Sequence, residues 1–175
     1  NPKEQARQYE AALEEASHGV VDYVIVAEYD ADQMFALNSN TNNYLTIDTL
    51  VNHIFKNGPI PGIAEGVVYD YISMIKHYGF DKMRDKDDLH EVWVFNHPAC
   101  GMYESRMIGD NAFWINSPGI TKEKGAPCKE LLSVMFCNYE RNLACALESY
   151  SHRFESTMMK VYGWWDYENR PTKAD

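Results

Sequence analysis

Three short runs constrain the fold most: "VVDYVIVAEY" at residues 20–29, "EVWVFN" at 91–96 and "LLSVMFC" at 131–137. Each is rich in β-branched and aromatic residues and stays apolar at successive positions. A strand with one wet face alternates in polarity; a strand covered on both faces does not. The runs are therefore expected as strands buried between layers, as in a parallel sheet. Helical segments lie between them. "PKEQARQYEAALEEAS" places Ala6, Tyr9, Leu13 and Ala16 on one side and stops at Gly19. A short helix through "TLVNHIFK" would be capped by Thr46 or Asp48, and another covers residues 63–78. The charged "MRDKDDLH" is expected as exposed chain. A long helix is expected from Asn138, its N-cap, to Gly163. This order predicts an α/β fold: a mostly parallel sheet with helices on both faces, three-layered and flavodoxin- or Rossmann-like. Residues 1–163 are expected as a single α/β domain and 164–175 as a C-terminal tail.

Composition supports a folded chain and excludes several partners. Of 175 residues, 45% are hydrophobic and 24% charged, which is enough for one real core. The net charge is −10 and no Lys/Arg cluster occurs, so a phosphate-tracking nucleic-acid face is excluded. No apolar run approaches the ~20 residues of a membrane span. The chain begins at Asn1, and a targeting segment removed before it is expected. None of the four cysteines forms a C-x-x-C pair, so a zinc ribbon or thioredoxin motif is excluded. Cys137 and Cys145 are expected as buried thiols. Cys100 and Cys128 lie beside prolines in loops, where a disulfide is open to them.

The candidate chemistry gathers where those strands would end. In such sheets, sites lie beyond the carboxyl ends of the strands. Here those ends are "EYDAD", "NHPACGMYES" and "NYER", all polar. In "LESYSHRFES", Glu148, His152 and Glu155 recur at helical spacing, with Arg141 on the same stripe. Leu143, Leu147, Tyr150, Phe154, Met158 and Val161 form an apolar stripe roughly opposite. The plain reading of the polar stripe is a solvated face held by i,i+3 and i,i+4 pairs. The functional reading needs the long loop at 96–120 to fold over it.

His152 and Glu155 make an H-x-x-E pair able to bind zinc or another divalent metal, with Glu104 or His97 as a third ligand. Without metal, Glu104, His152 and Glu155 are candidates for acid/base catalysis. The plain reading of Glu104 is a surface pair with Arg106. Arg141 would orient a carboxylate or bind substrate. Asn138 and Tyr139 would stand at the positive end of the last helix. Trp114 and Asn116 could stack on and hydrogen-bond a ligand, although a tryptophan is more often core. Glu28, Asp30 and Asp32 form a further acidic group at a strand exit. A Cys100 nucleophile beside His97 is a weaker alternative. G-x-S-x-G, P-loop, G-x-G-x-x-G and H-E-x-x-H motifs are missing from the sequence.

Together, "EVWVF", "YESRM", "AFWINSP", "NYER", "ESYSHRFES" and "VYG" resemble a group of bacterial proteins that share these segments. The likeness spans roughly residues 65–165. It marks Glu104, Ser105, Met107, Asn138, Tyr139, Arg141, His152 and Glu155, and supplies no mechanism. The group consists of longer, often exported proteins. The resemblance thus implies a secreted or extracytoplasmic setting, and that another chain or segment completes the site. The resulting expectation is a hydrolase with a Glu/His/Glu site acting on glycan or peptide. The alternative is a non-catalytic extracellular module that binds glycan or protein.

Overall fold

The computed structural model describes residues 1–51 and 66–163. The expected tail at 164–175 and most of the "TLVNHIFK" helix lie outside the described residues. The start of that helix is seen: residues 47–51 are helical, and Thr46 Oγ1 accepts from the Thr49 N–H at 3.1 Å.

The chain opens with α1 (Pro2–Ala16), whose first turn is capped by Asn1 and whose buried face is Ala6, Tyr9 and Leu13. Two of the three apolar runs form strands. β4 (Glu91–Asn96) and β6 (Leu132–Asn138) pair in parallel, and β5 (Ser105–Ile108) pairs antiparallel with β6, in the order β4-β6-β5. A second three-stranded sheet is wholly antiparallel. It comprises β1 (Ala36–Asn38), β2 (Asn43–Tyr44) and β3 (Val67–Tyr69), in the order β2-β1-β3. Helices α2 (Tyr71–Tyr78) and α3 (Phe80–Asp87) follow β3, and α4 (Leu143–Tyr162) follows β6.

This corrects the expected fold class. The described residues form two small sheets, one antiparallel and one mixed, instead of one mostly parallel sheet in a three-layer, Rossmann-like sandwich. The main cause is the run at 20–29. It forms no strand but keeps strand-like alternation, with Val21, Tyr23 and Ile25 half-buried and Val20, Val24 and Val26 exposed. Yet residues 22–34 make no backbone–backbone hydrogen bond among the described residues. Side chains hold the segment instead: Lys3 meets Glu28 at 3.1 Å, and Tyr29 packs against Tyr78 and Phe80.

Three further boundaries move. Residues 67–69 form β3, and Asp70 caps α2 by accepting from the Ser73 N–H at 3.0 Å. "MRDKDD" belongs largely to α3. Asn138 closes β6 and is not the helix cap; its Oδ1 accepts from the Glu140 N–H at 3.0 Å and shapes the turn that leads to α4. The cap position falls at Asn142.

One core joins both sheets: Phe35, Val67 and Tyr69 meet Val92, Ile108 and Leu132 around Met74, Ile75 and Phe80. Each such buried side chain contributes on the order of 1.5–3 kcal/mol. The cysteines are free thiols, so Cys100 and Cys128 are not bridged. Gly101 joins the β4 exit to β5 at φ +74°, and a Cβ there would lie 2.7 Å from the Val67 carbonyl oxygen. Gly101→Ala is expected to lower stability by at least about 2 kcal/mol, from left-handed strain and this clash together. Urea unfolding followed by circular dichroism measures it.

Candidate functional site

The parallel register of β4 and β6 sets Asn96 opposite Asn138, so their carboxyl ends share one edge. β5 runs back from that edge, and the Phe136 N–H donates to the Glu104 carbonyl at 3.0 Å. Glu104 therefore stands at the carboxyl edge, just before β5. α4 leaves β6 at the same edge and packs on β6, β5 and α1.

A buried ion pair fixes how α4 lies. Arg153 donates to the Glu91 carboxylate, with the two side chains only 12% and 4% exposed. Glu91 also accepts from the Tyr23 hydroxyl and from the Trp93 indole N–H, each at 2.6 Å. Arg153 reaches the Tyr23 oxygen at 2.9 Å and lies over the Tyr150 ring. Burial works against the guanidinium charge, and the Glu91 carboxylate and Tyr23 more than restore it. The buried residue of the helix is Ser149, between Cys145 and Arg153 on the same inward line. The face toward the sheet is thus rotated from the expected apolar stripe, and Phe154 and Val161 of that stripe are exposed.

This rotation carries His152 to the edge where Glu104 stands. His152 Nδ1 and Glu104 Oε2 are 2.9 Å apart, with side chains 44% and 47% exposed. Asn116 Nδ2 donates to the same Glu104 oxygen. The loop carrying Asn116 is sewn to β5 by serines. Ser105 Oγ donates to the Ile115 carbonyl, and Ser117 Oγ donates to the Ser105 carbonyl at 2.7 Å, both in the buried interior. Asn116 holds φ +72°, a left-handed conformation that asparagine tolerates better than most residues. The long loop therefore does fold onto the α4 face. Glu104 bonds to His152 and Asn116, while Arg106 takes the Pro118 carbonyl and the Tyr71 and Tyr103 rings. The plain Glu104–Arg106 pair is not formed.

The hydrogen bond from Glu104 raises the His152 pKa above its ordinary 6.5; slight desolvation opposes this, and the charges of Glu104, Glu148 and Glu155 add to it. The folded state thus holds the His152 proton more tightly than the unfolded chain. The stability this contributes is fully present below the unfolded value and is lost as pH rises through the folded one. In a histidine-resolved NMR titration, His152 is expected to titrate above 6.5 and to fall back in Glu104→Gln.

The other candidates divide. Glu155 and Glu148 are exposed on α4 and act on His152 through charge, without an ion pair to it. Arg141 is exposed and lines an open cleft with Asn142 and Glu148. Tyr139 is exposed beside His97, and neither it nor Asn138 sits at the start of the helix. Trp114 is exposed on the loop of Asn116 and is not part of the core. Glu28, Asp30 and Asp32 do not act as one group: Glu28 goes to Lys3, and Asp32 to His77 and Tyr78.

Cys100 is not an activated nucleophile. Burial pushes its thiol up to about 11, its Sγ donates to Asn96 Oδ1, and His97 Nδ1 is taken by the Ala99 N–H. His97 Nε2 faces Glu140 at 3.5 Å. Among the described residues no three His, Cys, Asp or Glu side chains form a ligand set for a metal ion. Glu104 and His152 alone are short of the three protein ligands typical of catalytic zinc.

Sequence reasoning missed Glu91, Arg153 and Tyr23. The available signal was Glu91 itself, an acid at the start of an apolar strand that buries it. No family model, no curated protein and no solved structure matches the chain. The reading of function rests on this geometry alone.

Proposed function

We propose that the chain is a hydrolase acting on glycan or peptide outside the cytoplasm, with Glu104 and His152 as its acid/base pair. One observation carries the reading: Glu104 and His152, 48 residues apart in sequence, meet at 2.9 Å at the carboxyl edge of the mixed sheet. An ionised Glu104 only accepts, so it holds the proton on His152 Nδ1 and leaves Nε2 as the basic atom. Nε2 has no partner among the described residues. It takes a proton from a water attacking the scissile bond. Glu104 steadies the imidazolium so formed, with Glu148 and Glu155 adding negative field, and Nε2–H then protonates the leaving group. Asn116 keeps the carboxylate aimed. Trp114 offers a ring face to a sugar or an apolar side chain.

Among the described residues no helix is long and apolar enough to cross a membrane. The half-exposed site and the exposed Trp114 also favour a second reading, a non-catalytic glycan- or protein-binding module. Assays of wild type, Glu104→Ala and Glu155→Ala against glycan and peptide libraries separate the two. The hydrolase reading expects turnover that collapses in Glu104→Ala. Full activity in both variants overturns the site, and binding without turnover by wild type selects the module. Metal analysis of the purified chain, with thermal melting in chelator, separates acid/base from metal-assisted hydrolysis.

A further inference from the structure

The run at 20–29 has the residues of a strand and no strand to pair with. Val, Ile and Tyr favour a pleated, half-buried surface. From Asp22 to Met34 no backbone group is bonded to another backbone group among the described residues. A row of unpaired N–H and C=O groups is a template for a further strand. Side chains on one side hold the run in place. Tyr23 donates to Glu91 and meets the Trp93 ring edge-on at 5.5 Å, and Glu28 is tied to Lys3. On the other side Val20, Val24 and Val26 are 85%, 74% and 68% exposed. A single exposed valine needs no explanation; three on one side of one run mark an interaction surface.

Charge selects what can cover it. Residues 20–34 hold Asp22, Glu28, Asp30 and Asp32 and no Lys, Arg or His. Lys3 and His77 meet Glu28 and Asp32 from elsewhere in the chain. Asp22 is exposed between Val20 and Val24 and is in no ion pair among the described residues. A second copy would bring the same acids and no base to the run, on a chain that already carries −10. Like charges across a strand pair destabilise it, and opposite charges stabilise it.

We propose that residues 20–28 dock an extended segment of another protein, one with apolar residues at alternate positions and a lysine or arginine opposite Asp22. The partner adds itself as a strand. Main-chain hydrogen bonds to the run supply affinity, and the side chains set against the valines and the acids supply choice. Antiparallel addition is the more stable mode. The run is already pinned through Tyr23 and Glu28, so less ordering remains to be done on binding. The inference goes beyond the hydrolase reading and does not rest on it.

The test titrates the ¹⁵N-labelled full chain with the peptide acetyl-KTVTVTKTV-amide. Run antiparallel, it sets valines against Val20, Val24 and Val26, one lysine opposite Asp22 and the other beside Glu28. Acetyl-ETVTVTETV-amide reverses its charge, and acetyl-VVVTTTTKK-amide keeps its composition without the alternation. The first peptide is expected to shift the amides of residues 22–26 and to slow their hydrogen exchange, which is fast in the free chain. Each control should bind at least about tenfold more weakly. Val24→Asp should weaken binding about tenfold, and Asp22→Lys should move the preference to the glutamate peptide. Both side chains are exposed, so both variants keep the fold, which circular dichroism checks. Slow exchange at 22–26 in the free monomer would mean that the chain covers the run itself. Slow exchange that grows with protein concentration, with a dimer in light scattering, would select a second copy. Either result overturns the proposal, as does no binding at about 1 mM, equal binding of the three peptides, or an unchanged preference in Asp22→Lys.

Discussion

Arg153→Ala should destabilise the chain by about 3–5 kcal/mol, lowering its melting temperature by roughly 10 °C. Glu91 is 4% exposed, and its charge is balanced by Arg153. Without the guanidinium, the carboxylate keeps the Tyr23 hydroxyl and Trp93 indole as donors but stays charged in an apolar site. Such a group must either remain uncompensated or take up a proton, and both weaken folding. The loss also removes the link from α4 to Glu91 on β4. Replacing both partners by apolar residues, Glu91→Leu with Arg153→Met, should recover most of the loss, because the penalty belongs to the orphaned charge. Thermal and urea unfolding of the two singles and the double measure this. A single-variant cost below about 1 kcal/mol would place the pair in a far wetter setting than the structure gives it.

His152→Ala should behave in the opposite way. The Glu104–His152 pair is half-exposed, so its loss should change stability by no more than about 1 kcal/mol. On a substrate found in the glycan or peptide libraries, turnover should fall about 10²–10⁴-fold, the usual worth of a positioned acid/base group. Glu104→Gln should fall nearly as far, because an amide can present its N–H to Nδ1 and stabilise the wrong tautomer. Parallel melting curves and kcat values check both halves. A large loss of stability with little loss of turnover would make the pair a structural clasp.

The strands at 91–96 and 132–138 were legible because each carries four successive apolar residues, 92–95 and 134–137, and both are strands in the fold. Their shared carboxyl edge followed from that, and so did the placement of Glu104 there. The run at 20–29 shows the limit of this logic. Its residues favour a strand, and its side chains alternate between half-buried and exposed as a strand's would. Pairing, however, depends on a free neighbouring edge, which no local pattern encodes. β5 was missed for the converse reason. It is four residues long, opens with Ser105 and Arg106, and sits in a Gly-, Pro- and Asn-rich stretch.

The phase of α4 was misjudged because apolar periodicity was counted and charge was assumed to face water. Arg153 faces inward because Glu91 awaits it on β4, a pairing 62 residues distant. That single contact turns the helix and sets His152 beside Glu104. The Asn116 contribution was legible only as a polar residue near an aromatic ring. Its role depends on two buried serine bonds that sequence spacing does not reveal.

The central claim is that Glu104 and His152 act as one catalytic unit. The most direct test is a double-variant cycle in kcat: Glu104→Gln, His152→Ala and both together, on the same substrate. Residues that act as a unit are strongly non-additive. The double variant should therefore be no slower than the worse single, within about threefold. Losses that multiply across the two sites would contradict the claim, as would full activity in either single variant.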